Sequence, residues 1–242
     1  MSQFPYRPEP QQPAWISAST AQTQERERAF FRSVYAWMFG GLALTALASL
    51  WVAKSPAMQQ LVVLNPIVMI LLMVAELGLV FYASARLHKM SPRTAASIFL
   101  VYSLLTGLTL SVILFVYKAP SIVQAFVTAS AMFAAMSVFG RITKRDLSGW
   151  GSFLIMGVVG LIVASLLNLW FQSPAMTLAI SAIGVLIFAG LTAYDTQRIK
   201  SMYAYVAGTD MIGKTVIMGA LSLYLDFVNM FTFLLQFLGS RD

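Results

Sequence analysis

Seven apolar segments, separated by short breaks that carry charge or proline, follow one another from residue 31 to residue 238. Each is close to the roughly 20 residues that an α-helix needs to cross the hydrocarbon core of a bilayer. The pattern therefore predicts seven membrane-spanning helices. We place them at residues 31-53, 61-86, 95-117, 121-141, 150-171, 175-198 and 215-238.

The connections between these segments are short, which favours antiparallel neighbours in one bundle without a separate soluble domain. The predicted fold class is therefore an all-α membrane protein, with residues 29-242 forming the transmembrane domain. Residues 1-28 are rich in Gln, Pro, Ser and Arg and lack the apolar run of a cleavable signal peptide. They are expected to form a disordered cytoplasmic tail.

The amino-acid composition of the chain supports a location within the lipid bilayer. Hydrophobic residues make up 59% of the chain, above the 45–50% that is usual for soluble domains. The chain has no cysteine and only one histidine, His88. Disulfides, cysteine catalysis and thiolate or polyhistidine metal sites are thereby excluded, and no cofactor is expected.

The basic residues show which way the chain is expected to lie. With the N-terminus inside, thirteen of the 16 Lys and Arg residues lie on the cytoplasmic side. The three on the other side are Lys54, Lys118 and Arg241. Cytoplasmic loops are enriched in basic residues, so this distribution explains the net charge of +7 without nucleic-acid binding.

Three acidic residues lie within predicted spans: Glu76, Asp195 and Asp226. An ionisable group at the centre of a span costs roughly 2.5–3.5 kcal/mol even on the lenient insertion scale, so such residues are functional-site candidates. The other six acids lie in tails or loops, where a solvated charge is a sufficient explanation.

Asp226 lies midway along the last span, and no Lys or Arg occurs between Lys214 and Arg241. Its partner must therefore come from another helix. Ser222 at i−4 and Asn229 at i+3 share its helix face. The last helix is expected to present a polar stripe to the bundle interior, although a purely structural carboxyl remains an alternative.

Asp195 lies near the end of the sixth predicted span, where Arg198 at i+3 offers a local ion-pair partner. Spans six and seven are consecutive and antiparallel, so their polar stripes can face each other. We therefore predict a close pair of Asp195 and Asp226. The two meet only if span six continues past residue 198, or if the last helix begins deeper or tilts.

Glu76 and Arg86 both belong to the second predicted span. Their ten-residue separation corresponds to roughly 15 Å along a helix and different faces, so they are not expected to pair. Glu76 is an accessory candidate facing the same interior. Arg86 is expected to snorkel or to reach inward as a counter-charge.

Three short motifs in this seven-span basic chain resemble the Bax inhibitor-1 family, and the bacterial inner-membrane branch most closely. They are KRDLS at residues 144–148, AYDTQ at residues 193–197 and LYLDFVN at residues 223–229. The resemblance covers the chain from about Arg32 to its end.

That resemblance implies a bundle whose last helix is central and surrounded by the other six, in a bacterial inner membrane. It further implies a pH-sensitive calcium leak governed by an aspartate pair, which corresponds to Asp195 and Asp226. Some members have an arginine near the end of the second span that latches onto the pair. Arg86 is the nearest candidate here.

The chemistry of two carboxyls in one site fits such a role. Two carboxylates in a low-dielectric site cannot both ionise cheaply, so the pair is expected to share a proton and titrate as one unit. When ionised, it supplies oxygen ligands suited to Ca²⁺. Because Ca²⁺ prefers six to eight oxygens, water and backbone carbonyls would complete a weak, transient shell.

Two other classes of function compete with the leak. Intramembrane aspartyl proteases also use aspartates on successive spans, but their second motif is Gly-x-Gly-Asp, whereas residues 223–226 are LYLD. We therefore expect no enzymatic activity. The second class, a non-transporting protein that modulates a membrane-bound protease or a stress response, remains open at the level of sequence.

The distribution of basic residues predicts a cytoplasmic N-terminus and an external C-terminus. Topology reporters fused before Phe30 and after Gly239 should report opposite sides of the membrane. Reporters that score on the same side would contradict the seven-span topology.

Overall fold

The computed structural model describes residues 14–86 and 90–240, and most of these residues are helical, with no β-strand among them. Seven helical stretches in them are long and apolar enough to cross a membrane, which confirms the predicted number. The helices are α1 (Ala14–Lys54), α2 (Pro56–Met58), α3 (Pro66–Arg86), α4 (Pro92–Leu110), α5 (Ile113–Val116), α6 (Ala119–Ile142), α7 (Ser148–Phe171), α8 (Pro174–Val206) and α9 (Ile212–Leu238). A π-helical turn, Gln59–Val63, follows α2.

Proline and serine define several helix starts. Ser91 and Ser173 each precede a proline and accept a hydrogen bond from the backbone N–H of a first-turn residue, at 3.1 Å from Thr94 and 3.3 Å from Met176. Proline fits the first helical position because its missing N–H would have no intrahelical partner there. The predicted breaks before the third and sixth spans therefore contain N-caps.

The second span begins at Pro66, five residues later than its predicted start at residue 61. Asn65 explains the shift, since its side-chain oxygen accepts hydrogen bonds from the backbone N–H groups of Ile67 and Val68. The preceding residues instead form the π-helical turn. Apolar composition alone did not reveal this cap, because the residues on both sides of it are hydrophobic.

The first helix starts before the predicted span. Instead of a disordered tail through residue 28, the structure has α1 running from Ala14, and only residues 1–13 of that tail lie outside the described residues. The stretch from residue 14 to 28 contains neither proline nor glycine. It can therefore continue the helix of the first span outward without a break.

Helix α9 is the centre of the bundle, as predicted. It contacts α1, α4, α6 and α8, and 61% of the residues in an apolar 18-residue stretch of it are buried. The corresponding shares for 18-residue stretches of α3 and α7 are 6% and 11%, so these two helices are peripheral. The bundle therefore has a tightly packed side and a loosely packed side.

Hydroxyl groups join α1, α4 and α9 on the packed side. The hydroxyls of Thr45 and Tyr224 are 2.6 Å apart. Thr45 Oγ1 also donates to the Ser103 carbonyl at 2.8 Å, and Ser49 Oγ donates to the Gly107 carbonyl at 2.7 Å. In an apolar environment such bonds satisfy groups that would otherwise be costly to bury.

A close helix crossing sets the position of α8. A Cβ atom on Gly140 of α6 would overlap the backbone carbonyl of Ala193, two residues before Asp195. Glycine is therefore required for this approach of the two backbones. The register of α8 at Asp195 depends on it.

We expect Gly140→Ala to lower the thermal unfolding midpoint in detergent by several degrees, because overpacking costs typically 1–3 kcal/mol. Gly160→Ala is the matched control, since a Cβ atom added at Gly160 in α7 would meet no atom of the described residues within 4 Å. Equal midpoints for the two variants would contradict the close crossing.

Candidate functional site

A cavity of about 980 Å³ lies between α3, α4, α7, α8 and α9. All three intramembrane acids line it, together with two other predicted site residues, Ser222 and Asn229. The structure thus brings residues from three different helices to one place. It is the loosely packed side of the bundle that leaves this space.

Asp226 is the most buried acid of the site. It is 4% exposed and lies midway along the central helix. Its Oδ2 atom is buried and has no hydrogen-bond partner among the residues that the structure describes. A buried carboxylate oxygen without a partner is costly, so a proton, a cation or a donor group in the cavity would stabilise it.

Asp195 reaches the same cavity because α8 is longer than predicted. The helix continues to Val206 instead of ending at residue 198, and α9 starts at Ile212. Asp195 lies eleven residues before the end of α8, and Asp226 lies fourteen residues after the start of α9. At 1.5 Å per residue these positions are about 17 and 21 Å from the helix ends that face each other, so the two acids lie at similar depth.

The two aspartates line one cavity, and Arg198, three residues after Asp195, lines it with them. Their carboxyls therefore share one electrostatic environment. The condition that the sequence set for their meeting is fulfilled, because α8 continues past residue 198.

Glu76 approaches the site from α3. Its carboxylate accepts a 2.9 Å hydrogen bond from Thr109 Oγ1 of α4, and it lines the cavity together with Tyr102 of α4. Glu76 therefore faces the interior, as proposed from the sequence. The Thr109 bond holds α3 to α4 at this depth.

The structure does not bring Arg86 into the cavity. Its side chain is exposed, and its guanidinium carbon lies 5.9 Å from the ring centroid of Tyr82. Arg198, one turn after Asp195, lines the cavity instead. The sequence pointed to Arg198 through its i+3 spacing from Asp195. The sixth span was predicted to end at residue 198, however, so Arg198 was expected at the membrane surface.

Two motif regions meet beside the site. The Gln197 side chain donates to the Arg145 carbonyl at 2.8 Å and accepts from the Leu147 backbone N–H at 2.8 Å. These bonds tie the loop between α6 and α7 to α8, two residues from Asp195. This contact gives a structural role to Gln197 of the AYDTQ motif, whereas the KRDLS segment takes part through its main chain.

Possible cation ligands are few. In the two described ranges, no three His, Cys, Asp or Glu side chains are grouped as a metal site. A Ca²⁺ ion held by Asp195 and Asp226 would therefore need backbone carbonyls and water to complete its shell.

Comparison with known proteins identifies the family. Residues 27–242 match the family described as "Inhibitor of apoptosis-promoting Bax1". The chain belongs to the Bax inhibitor-1 family. The match includes all three motif regions and every residue of the cavity wall, so the predicted resemblance is confirmed.

Bacterial relatives cover nearly the whole chain. "Inner membrane protein YbhL" of Escherichia coli K12 is 44% identical over 227 residues, which are 93% of this chain and 97% of that protein. A protein of Deinococcus radiodurans is 42% identical over 94% of this chain and 97% of its own length. A membrane protein of Streptococcus pyogenes serotype M1 is 42% identical, covering 88% and 93%.

The bond between Thr109 and Glu76 can be tested by a double-mutant cycle with Thr109→Val and Glu76→Met, each of which removes one partner of the bond. We expect a coupling free energy of about 1–2 kcal/mol in thermal or denaturant unfolding, because a hydrogen bond to a carboxylate contributes that order. Thr128→Val is the control, since the Thr128 hydroxyl donates within its own helix α6, to the Gln124 carbonyl. Additive effects of the Thr109 and Glu76 substitutions would contradict the contact.

Proposed function

We propose that this protein is a pH-sensitive cation leak pathway in which Asp195 and Asp226 form a proton-sharing gate, with Ca²⁺ as the permeating ion. One observation carries the proposal: a carboxylate oxygen of Asp226, buried and unpartnered among the described residues, lines a cavity of about 980 Å³ together with Asp195.

The electrostatics of the pair explains the expected coupling between protons and ions. Two negative charges in a poorly solvated site repel strongly, and either a shared proton or a bound cation relieves the repulsion. Protons and cations therefore compete for the same carboxyls. The site binds weakly enough to release its ion, as conduction requires.

Other titratable groups face the pair from three of the surrounding helices. They are Glu76 of α3, Tyr102 of α4, and Tyr194 and Arg198 of α8, whereas α7 contributes no titratable side chain to the cavity. Ionisation of both aspartates either opens the gate by repulsion or closes it by drawing Arg198 inward. The sign of the pH response distinguishes these two mechanisms.

We further propose that the protein lies in the inner membrane of a bacterium with its N-terminus in the cytoplasm. The 44% identity to the Escherichia coli inner membrane protein supports the location. The distribution of basic residues supports the orientation.

Flux of Ca²⁺ into liposomes, measured with an enclosed fluorescent indicator from about pH 6 to pH 8, tests the gate. We expect the wild-type flux to change with pH, and both Asp195→Asn and Asp226→Asn to remove that dependence, because each breaks the coupled titration. The double variant should lose at least about tenfold in flux, equivalent to about 1.4 kcal/mol.

Asp146→Asn is the matched control. Asp146 lies in the loop between α6 and α7, and hydrogen bonds from the Ser148 side chain and backbone N–H lower the pKa of its carboxyl. It therefore stays ionised throughout the tested range, and its variant should keep the wild-type pH response. A response that survives in both single cavity variants would refute the gate.

The same flux assay distinguishes the roles of Arg86 and Arg198. The latch assigned to Arg86 from the sequence predicts that Arg86→Ala changes the leak rate without preventing folding, whereas the cavity geometry favours Arg198→Ala as the variant with the larger effect. If the protein is instead a non-transporting interaction partner, no variant will show aspartate-dependent flux.

A further inference from the structure

The cavity has a side wall that the proposed leak does not use. This wall is formed by α3 and α7, the two least buried spans. Leu77 and Phe81 of α3 are 59% and 73% exposed, and Ile162 and Leu166 of α7 are 53% and 61% exposed, yet all four line the cavity. The cavity is therefore continuous with the outer, lipid-facing surface between these helices.

The shape of this lateral opening suits an alkyl chain. Its α7 border extends from Ile155 to Leu169, which is about 21 Å of helix and more than the roughly 15 Å of hydrocarbon in one leaflet. Apart from Ser165, the α7 border is apolar. An alkyl chain lying along the border would bury apolar surface on both sides.

The inner end of the opening is acidic. Glu76, Asp195 and Asp226 outnumber Arg198, the single basic side chain that the described residues contribute to the cavity wall. Asp226 adds an independent indication of a ligand, because its Oδ2 is buried without a partner in the described part of the chain. A cationic group with N–H donors is the complement of these carboxyls.

We propose that the cavity is a binding site for a cationic amphiphile that enters from the bilayer between α3 and α7. Its ammonium group pairs with Asp226 and Asp195, and its alkyl chain lies against Leu77 and Ile162. The site itself goes beyond the proposed leak. Inhibition of the leak by such an amphiphile rests on the proposed function, since the ammonium would occupy the carboxyls of the gate.

Hexadecylamine and hexadecanol are suitable probes, because they share one alkyl chain and differ in the charge of the head group at neutral pH. Each is titrated into the full-length protein in detergent micelles, and the apparent Kd is taken from the saturable rise of the thermal unfolding midpoint. We expect hexadecylamine to bind at least tenfold more tightly than hexadecanol. We expect Asp226→Asn to remove that difference.

Ile162→Trp and Val163→Trp form a matched pair for the alkyl-chain site. The two residues are neighbours in α7 with similar exposure, 53% and 51%, but only Ile162 lines the cavity. Ile162→Trp should weaken hexadecylamine binding at least tenfold, and Val163→Trp should leave it unchanged. This pair carries the test if Asp226→Asn does not fold, which its unfolding curve without amine shows.

Equal affinity for the amine and the alcohol, or equal effects of the two tryptophan substitutions, would overturn the proposal. The leak is tested separately by aspartate-dependent flux without amine. If the protein binds hexadecylamine at this site but shows no aspartate-dependent flux, the amphiphile site is supported and the proposed leak is refuted. If it shows the flux but no selective amine binding, the leak is supported and the amphiphile site is refuted.

Discussion

The carboxyl of Asp226, held at the middle of the central helix with one oxygen unpartnered among the described residues, is the constraint on which the site depends. An ionisable side chain in hydrocarbon costs several kcal/mol unless something neutralises or solvates it. Here Asp226 lines a cavity, and Asp195 and Arg198 of α8 line the same cavity. Both proposals follow from this one group, since a proton, a metal ion and an ammonium group each satisfy it.

The tightly packed part of the bundle and the opening to the site lie on different sides of the central helix. On one side, α1, α4, α6 and α8 contact the central helix, with hydroxyl bonds such as Thr45 to Tyr224 and the glycine crossing at Gly140. On the other side, α3 and α7 are mostly exposed and leave the cavity between them. The packed side fixes the depth of the aspartates, and the open side decides what can reach them. The chain belongs to the Bax inhibitor-1 family, and bacterial relatives that are 42% and 44% identical cover 94% and 93% of it.

Much of the fold could be predicted because the bilayer imposes a strict rule. Every buried backbone group must bond within its own helix, so apolar length alone reports seven spans. Caps and helix extensions were harder to predict, because Asn65 lies among apolar residues and α8 continues through Lys200 and Ser201 to Val206. A hydropathy pattern marks where a chain enters hydrocarbon, not where its helix ends.

The sequence by itself determined the number of spans, the family and the identity of the intramembrane acids, because each of these is expressed in local composition or in a short motif. Only the tertiary structure decided that Glu76, Asp195 and Asp226 share one cavity and that Arg198, not Arg86, lines it. The physical reason is depth: whether two side chains on different helices meet depends on where each helix ends and how closely the backbones pack. Those quantities arise from contacts between distant segments, such as Gly140 against Ala193, and no single segment encodes them.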